Sequence, residues 1–313
     1  MPKKKVLVTG GLGHIGSKLI LNLAGRKDVG EIVILDNLHT ERYCSLMNLP
    51  KNVRYNFIEG DIRNATDAGK AMDGIDTVIH LAAITNAPET IKFPELTKEV
   101  NYDATRLMLK IAKERNVEKF FFPSTTSVYG PATGFVDENY KKCKPLTPYA
   151  EYKLKAENEV LKENGKMKTC VARFGTIYGY SIGMRFHTAV NKFVFQAVNR
   201  QPITVWEDAL DQKRPYLDLN DAINFINFFM DQKNDKFFGE VYNVLTENAT
   251  VRNVINIIKK YVSNVEIKMT KNPIINQESY EVSRKRIEKH GFRFSGNMEK
   301  GVKETINSFK ALF

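Results

Sequence analysis

Tyr149 and Lys153 stand four residues apart in "PYAEYK", a spacing that does chemistry if one helix carries both. Residues four apart on a helix lie side by side, so the lysine ammonium would favour the ionised form of the phenol. A free phenol ionises near pH ~10, and use as a base near neutrality needs a depression of about three units, or roughly 4 kcal/mol. Spacing alone is a weak signal, because Tyr140 and Lys144 repeat it upstream. Proline separates the two pairs. Pro145 directly follows Lys144 and biases it away from helix. Pro148 instead precedes Tyr149, at a place suited to a first helical turn, and "YAEYKLKAENEVLKE" runs on without a breaker. The downstream pair is the chemical one.

A second group sits near the start. "VLVTGGLGHIGSKL" sets Gly10, Gly13 and Gly16 at three-residue intervals between a strand and a helix. Such a turn aims unpaired N–H groups and a positive dipole end at one spot, which suits a pyrophosphate. "EIVILDNL" then ends in Asp36, twenty residues beyond Gly16, where a dinucleotide fold places an acid on the adenosine ribose. A carboxylate there repels the extra phosphate of NADP, so the expected cofactor is NAD. A third group, Ser124, Thr125 and Thr126 in "PSTTSVYG", closes a strand-like run where ligand sites of such sheets gather.

Positioning these groups falls to a regular first half. "KVLVTG", "EIVILD", "VRYNFIEGD", "DTVIHLAA" and "KFFFPST" are apolar nearly throughout and alternate with helical patterns, as strands covered on both faces of a parallel sheet do. The stretch from Phe93 to Asn116 reads as one helix. After Arg173 the texture turns irregular, with helices expected from Asn220 to Gln232, from Val251 to Val262 and over "KGVKETINSFKALF", and a strand at "EVYNVL". The expected fold is α/β: a Rossmann-type doubly wound parallel sheet with a smaller, mixed C-terminal substrate-binding lobe. Residues 1–174 form the NAD-binding domain, segments around 214–245 return to its sheet, and 175–213 with 246–313 form the lobe.

The chain has 313 residues and a formal charge of +11, which attracts anions. Its basic residues are spread through helices instead of forming one tract, which argues against nucleic acid. Cys44, Cys143 and Cys170 suggest neither a disulfide framework nor a zinc site. No stretch approaches the ~18 apolar residues of a membrane span, and the start lacks a signal-peptide core. A soluble, cytoplasmic protein without metal is expected.

Nine segments in order, "TGGLGHIG", "LDN", "EGDIR", "HLAA", "VNYDATRLML", "STTSVYG", "PYAEYK", "RFGTIYG" and "RPYLDLND", resemble the extended short-chain dehydrogenase/reductase proteins. The likeness is to the NAD-dependent nucleotide-sugar epimerase/dehydratase family, including UDP-glucose/galactose 4-epimerases. It implies that Thr125 is the catalytic hydroxyl beside Tyr149 and Lys153, with Ser124 and Thr126 as neighbouring alternatives. It implies a cofactor site of Gly10, Gly13, His14, Ile15, Gly16, Asp36, Asn37, Asp61, Ile62, Leu81, Ala82, Ala83 and Asn101, together with Tyr149 and Lys153. On the substrate side it points to Thr126, Thr176, Arg185, Asn191 and Arg214, the last as a diphosphate clamp. His80 reads as a packed strand residue. Two departures stand out: Thr176 where relatives often carry asparagine, and Glu278 where they often carry a phosphate-binding arginine, with Arg284 or Arg286 as substitutes.

The implied activity is epimerisation at C4 of a nucleotide-diphosphate sugar through a transient 4-keto intermediate. Sister reactions are 4-keto reduction, decarboxylation and dehydration; a rival from another class is a non-catalytic dinucleotide-binding module. Relatives that eliminate water carry an aspartate–glutamate pair after the catalytic hydroxyl, where this chain has Thr126 and Ser127. A homodimer joined by the Phe93–Asn116 and Tyr149 helices is also implied.

Overall fold

The computed structural model describes residues 3–271 and 279–309. Seven parallel strands form the main sheet in the order Arg54–Glu59, Val29–Asp36, Lys4–Thr9, Thr77–His80, Lys119–Thr125, Lys168–Phe174, Glu240–Val244. Side chains alternate across it. Val6 and Val8, Ile32 and Ile34, Phe121, and Cys170 and Ala172 enter the core on one face. Leu7, Val33 and Leu35, Phe120 and Phe122, and Val171 enter the core on the other. This two-residue alternation explains why the strands read as continuous apolar runs. The first core is covered by the helices His14–Ala24 and Leu219–Asp231. The second is covered by Ala65–Ala71, Ala104–Glu114 and Pro148–Lys162.

Strand order reverses between Lys4–Thr9 and Thr77–His80, and ligands of such sheets bind outside the carboxyl ends at that switch. Gly10, Asp36, Leu81 and Thr125 all lie at those ends.

The remaining strands form small sheets: Thr176–Tyr178, Lys213–Asp218 and Glu247–Thr250 together, Ile203–Trp206 with Ile267–Thr270, and Gly134–Val136 with Tyr280–Val282. A separate core joins the helices Ala189–Val198, Val251–Lys259 and Met298–Asn307. Of the segment expected to return to the main sheet, only Glu240–Val244 enters it as a strand; Lys213–Asp218 pairs in the three-stranded sheet. The helices expected at Asn220–Gln232 and Val251–Val262 span Leu219–Asp231 and Val251–Lys259. The late helix starts at Met298 under an Asn297 cap and ends at Asn307, with residues 310–313 outside the described chain.

The stretch from Phe93 to Asn116 is not one regular helix. Pro94–Lys98 and Ala104–Glu114 are α-helical, and Glu99–Asp103 between them is a π-helical turn. The wider turn shifts the side-chain register, and Asn101 within it is fully buried.

Candidate active site

The helix Pro148–Lys162 begins at Thr147, whose hydroxyl accepts from the Ala150 N–H at 3.3 Å, and Pro148 takes the first turn. That start sets Tyr149 and Lys153 on one wall of a cavity of about 330 Å³, which Thr125, Thr126, Ser127, Thr176, Arg185 and Arg214 also line. Lys153 is buried, its Nζ donating to the Pro123 carbonyl at 2.9 Å and lying 4.5 Å from the Phe122 ring centroid. Thr125 ends its strand and caps the turn Thr126–Tyr129 by accepting from the Ser127 N–H at 3.1 Å. Its hydroxyl donates to Ser127 Oγ at 3.1 Å and lies near enough to Tyr149 to favour the phenolate.

Burial raises the Tyr149 phenol, and the Arg185 guanidinium and Thr125 oppose that rise. Burial lowers the Lys153 ammonium to about 7; Glu157 works against this and Arg185 with it. Arg185 therefore joins the site as a further cation beside Tyr149, which spacing within the helix did not reveal. Lys153 is anchored at the strand end.

Arg185 arrives on the strap 179–187, which is stitched to the glycine-rich turn. His14 Nε2–H donates to the Gly179 carbonyl at 2.8 Å, Ser181 Oγ donates to the His14 carbonyl at 2.8 Å, and the Gly183 N–H donates to Ser17 Oγ at 3.0 Å. Asn191 is fully buried, off the cavity wall; it accepts from the Gly179 N–H at 3.1 Å and donates to the Arg185 carbonyl at 3.1 Å. Asn191 thus lies behind the strap and supports Arg185 through its backbone. Arg185 Nη1 donates to Thr85 Oγ1 at 2.7 Å, while its buried Nε has no partner.

The glycine turn fits a dinucleotide. Gly10 has φ +63°, and a Cβ there would stand 2.7 Å from the Ala82 backbone, so only glycine allows this approach. Gly13 precedes the helix His14–Ala24 with no side chain capping its first N–H groups, an arrangement suited to an anion. Asp36 accepts from the Leu12 N–H and the Leu38 N–H, both at 3.0 Å, which fixes its carboxylate at the strand end. Asn37 Nδ2 donates to Asp61 at 3.2 Å, and Arg63 holds the Asp61 carboxyl down at about 2. Ile62 is buried beside this pair. Ile15, Leu81 and Ala83 line the cavity, and the Ala82 N–H donates to Thr9 Oγ1 at 3.1 Å.

His80 anchors the segment after its strand. The Thr9 hydroxyl donates to His80 Nδ1 at 2.9 Å, leaving Nε2–H for Thr105 Oγ1 at 3.2 Å, and Thr105 donates to the Asn101 carbonyl at 3.0 Å. Asn101 in turn accepts from the Ile84 N–H and donates to the Ile84 carbonyl, each at 2.8 Å. The π-helical turn thus lets Asn101 hold the cleft-lining loop.

On the far wall, Thr176 opens a short strand and Arg214 lies 5.4 Å from the Tyr280 ring centroid, its Nη1 donating to the Lys213 carbonyl at 2.8 Å. Arg284 and Arg286 do not reach the cavity wall. Arg284 bonds the Thr246 carbonyl and pairs with Glu288 at 3.0 Å, and Arg286 pairs with Glu240 at 3.0 Å. Glu278, where relatives often carry an arginine, lies outside the described residues. Among the described residues, no cluster of His, Cys, Asp and Glu could hold a metal ion, and no helix is long and apolar enough to cross a membrane.

The NAD dependent epimerase/dehydratase family model matches residues 6–244. The uncharacterized UDP-glucose epimerase YtcB of Bacillus subtilis is 30% identical over 264 residues, covering 82% of this chain and 81% of that protein. The dTDP-D-glucose 4,6-dehydratase of Homo sapiens is 29% identical over 332 residues, covering 99% and 91%. A UDP-glucuronic acid 4-epimerase from Bacillus cereus, solved with UDP-glucuronic acid and NAD, superposes with a TM-score of 0.87 at 26% identity, covering 99% of this chain and 100% of that one.

Proposed function

Because the chain belongs to the NAD-dependent epimerase/dehydratase family, we propose that it epimerises C4 of a UDP-sugar, with Tyr149, Thr125 and Lys153 managing the proton of the C4 hydroxyl. The observation that carries this reading is the meeting of those three side chains at the carboxyl end of the sheet, on one cavity wall beside the glycine turn. Bound NAD supplies the acceptor and donor of the C4 hydride. Gly10, Gly13 and Gly16 would take its pyrophosphate, Asp36 its adenosine ribose, and Lys153 its nicotinamide ribose.

Tyr149 takes the hydroxyl proton as a 4-keto sugar forms and returns it after the sugar has turned. Arg185 favours the phenolate from outside the helix, and Thr125 donates a hydrogen bond as charge develops on oxygen. The buried, unpartnered Nε of Arg185 fits an anion brought by the substrate. A diphosphate or a sugar carboxylate would satisfy it, and Arg214 suits a diphosphate by its planar fork. A homodimer fits the exposed Ile91, Phe93 and Leu96 next to the Tyr149 helix, and a cytoplasmic setting suits the three free cysteines.

Elimination of water across C5 and C6 needs a base for the C5 proton and an acid for the departing hydroxyl. Thr126 and Ser127 supply neither near neutral pH. Incubation with UDP-glucose, UDP-N-acetylglucosamine and UDP-glucuronic acid, followed by NMR, should give an isomer of one of them, keeping the original C4 hydrogen and forming no net NADH. A product lighter by one water, with solvent deuterium at C5, would overturn the reading.

A further inference from the structure

Beneath the catalytic helix lies a buried charge pair with no part in the proton transfer described above. Glu157 follows Lys153 by four residues on the buried side of the same helix. It is 2 % exposed and is gripped by Arg173, whose Nη2 donates to Oε2 at 2.7 Å and whose Nε donates to Oε1 at 3.0 Å. The Ser124 hydroxyl donates to the same Oε1. Arg173 has one buried nitrogen, Nη1, without a partner, and its guanidinium lies 5.0 Å from the Tyr129 ring centroid. Burying both charges costs about as much as their attraction returns, so such a pair is weak evidence of stabilisation. Its placement points to another use. Ser124 lies between Pro123, whose carbonyl holds Lys153, and Thr125, whose hydroxyl meets Tyr149.

Few groups face Lys153. Tyr149 and Glu157 share its helix. The strand Thr77–His80 brings His80, whose imidazole is held down at about 3 by burial and by Lys153 itself. The strap brings Arg185. The strand Lys119–Thr125 brings the Pro123 carbonyl, the Phe122 ring and the Ser124 and Thr125 hydroxyls. Glu157 is the only carboxylate among these groups. Around Glu157 itself stand Arg173, Ser124 and the Cys143 thiol, which burial pushes up.

We propose that Glu157 is a positioning residue: seated on Arg173 and Ser124, it holds Lys153 in its ammonium form and fixes the strand end that carries Pro123 and Thr125. The inference rests on the reading of Tyr149 and Lys153 as the working pair. Without Glu157, burial and Arg185 both favour neutral lysine. The ammonium fraction at neutral pH then falls, and with it the charge and full donor set that could hold a ribose.

The test is a titration of the full chain labelled with carbon-13 at lysine Cε, with the Lys153 signal identified by its absence from the Lys153→Met protein. Glu157→Gln should move the Lys153 midpoint down by about one unit or more. Because Glu157→Gln leaves Arg173 buried and unpaired, the double variant Glu157→Gln/Arg173→Gln is measured beside it, and a smaller fall of the same sign is expected there, because a cation is removed together with the carboxylate. A midpoint within about 0.3 unit of wild type in a Glu157→Gln protein that melts cooperatively and binds NAD, or one at or above wild type in such a double variant, would overturn the proposal. The titration needs no sugar. A wild-type protein inert toward every UDP-sugar would refute the epimerase reading without moving this result, and active protein with an unmoved Lys153 midpoint would refute this assignment alone.

Discussion

Residues 149–153 and 140–144 carry the same two side chains at the same spacing, yet they become different things. In the first, Thr147 and Pro148 start a helix that runs to Lys162, so phenol and ammonium enter one wall with Thr125 beside them. In the second, Tyr140 lies in a loop and turns its ring edge-on to Tyr129, with centroids 5.9 Å apart. Lys144 is exposed, and its carbonyl packs so tightly on Gly130, at φ +68°, that a Cβ there would overlap it. One tyrosine packs against another ring and one lines the cavity. The lesson is that spacing nominates a pair, while the helix start and the strand end opposite decide whether it meets.

The largest expected effect breaks the comparison directly. Tyr149→Phe deletes only the ionisable oxygen and should cut turnover by about 10³-fold with NAD binding retained, since positioned proton transfer contributes on that scale. Tyr140→Phe keeps the edge-on contact with Tyr129 and should leave turnover within about twofold. Steady-state rates on the UDP-sugar found active, with calorimetric NAD binding, measure both. Loss in the second variant and retention in the first would reverse the assignment.

A smaller effect extends the comparison to two aspartates. Asp61 is engaged by the Arg63 guanidinium at 2.9 Å, whereas Asp36 is held by two backbone N–H groups. A carboxylate fixed in that way excludes a phosphate. NAD should bind at least tenfold more tightly than NADP, about 1.4 kcal/mol, and Asp36→Asn should narrow the gap while Asp61→Asn does not. Calorimetric titration with both cofactors tests this, and equal affinities in the wild type would mean that Asp36 points away from the ribose.

Much of the fold was legible because burial on both faces leaves a simple trace: Val6 to Val8, Ile32 to Leu35 and Phe120 to Phe122 are apolar without a gap. The glycine turn was legible for a steric reason, the closeness of Gly10 to Ala82. What escaped the sequence depends on contacts between distant segments. The strand Gly134–Val136 pairs with Tyr280–Val282 over three residues each, too short for any period to show. The strap reached Tyr149 only because His14 and Ser17, far upstream, tie it down. Asn101 was found by resemblance, but its burial needed a π-helical turn that regular helical spacing does not announce. Glu157 is an acid one turn beyond a lysine, a spacing that suits a solvated ion pair until Arg173 is seen beneath it.

The smallest expected effect asks whether the helix start itself makes the difference between the two pairs. The Thr147 hydroxyl satisfies the Ala150 N–H, one of four donors that a helix start leaves open. Removing such a cap costs about 1 kcal/mol, so Thr147→Ala should lower the melting midpoint by about 2 °C in a chain of this size. Tyr149 is only two residues inside the cap, and a frayed first turn would swing its phenol away from Thr125 for part of the time. Turnover should therefore fall by less than tenfold, with NAD affinity nearly unchanged, because Lys153 is held independently by the Pro123 carbonyl. Thermal unfolding and steady-state rates on the same preparation give both numbers. If stability falls while turnover holds, the strand end and Lys153 suffice to place Tyr149. If both fall together, the cap and proline that Tyr140 lacks are what turn a recurring spacing into a working pair.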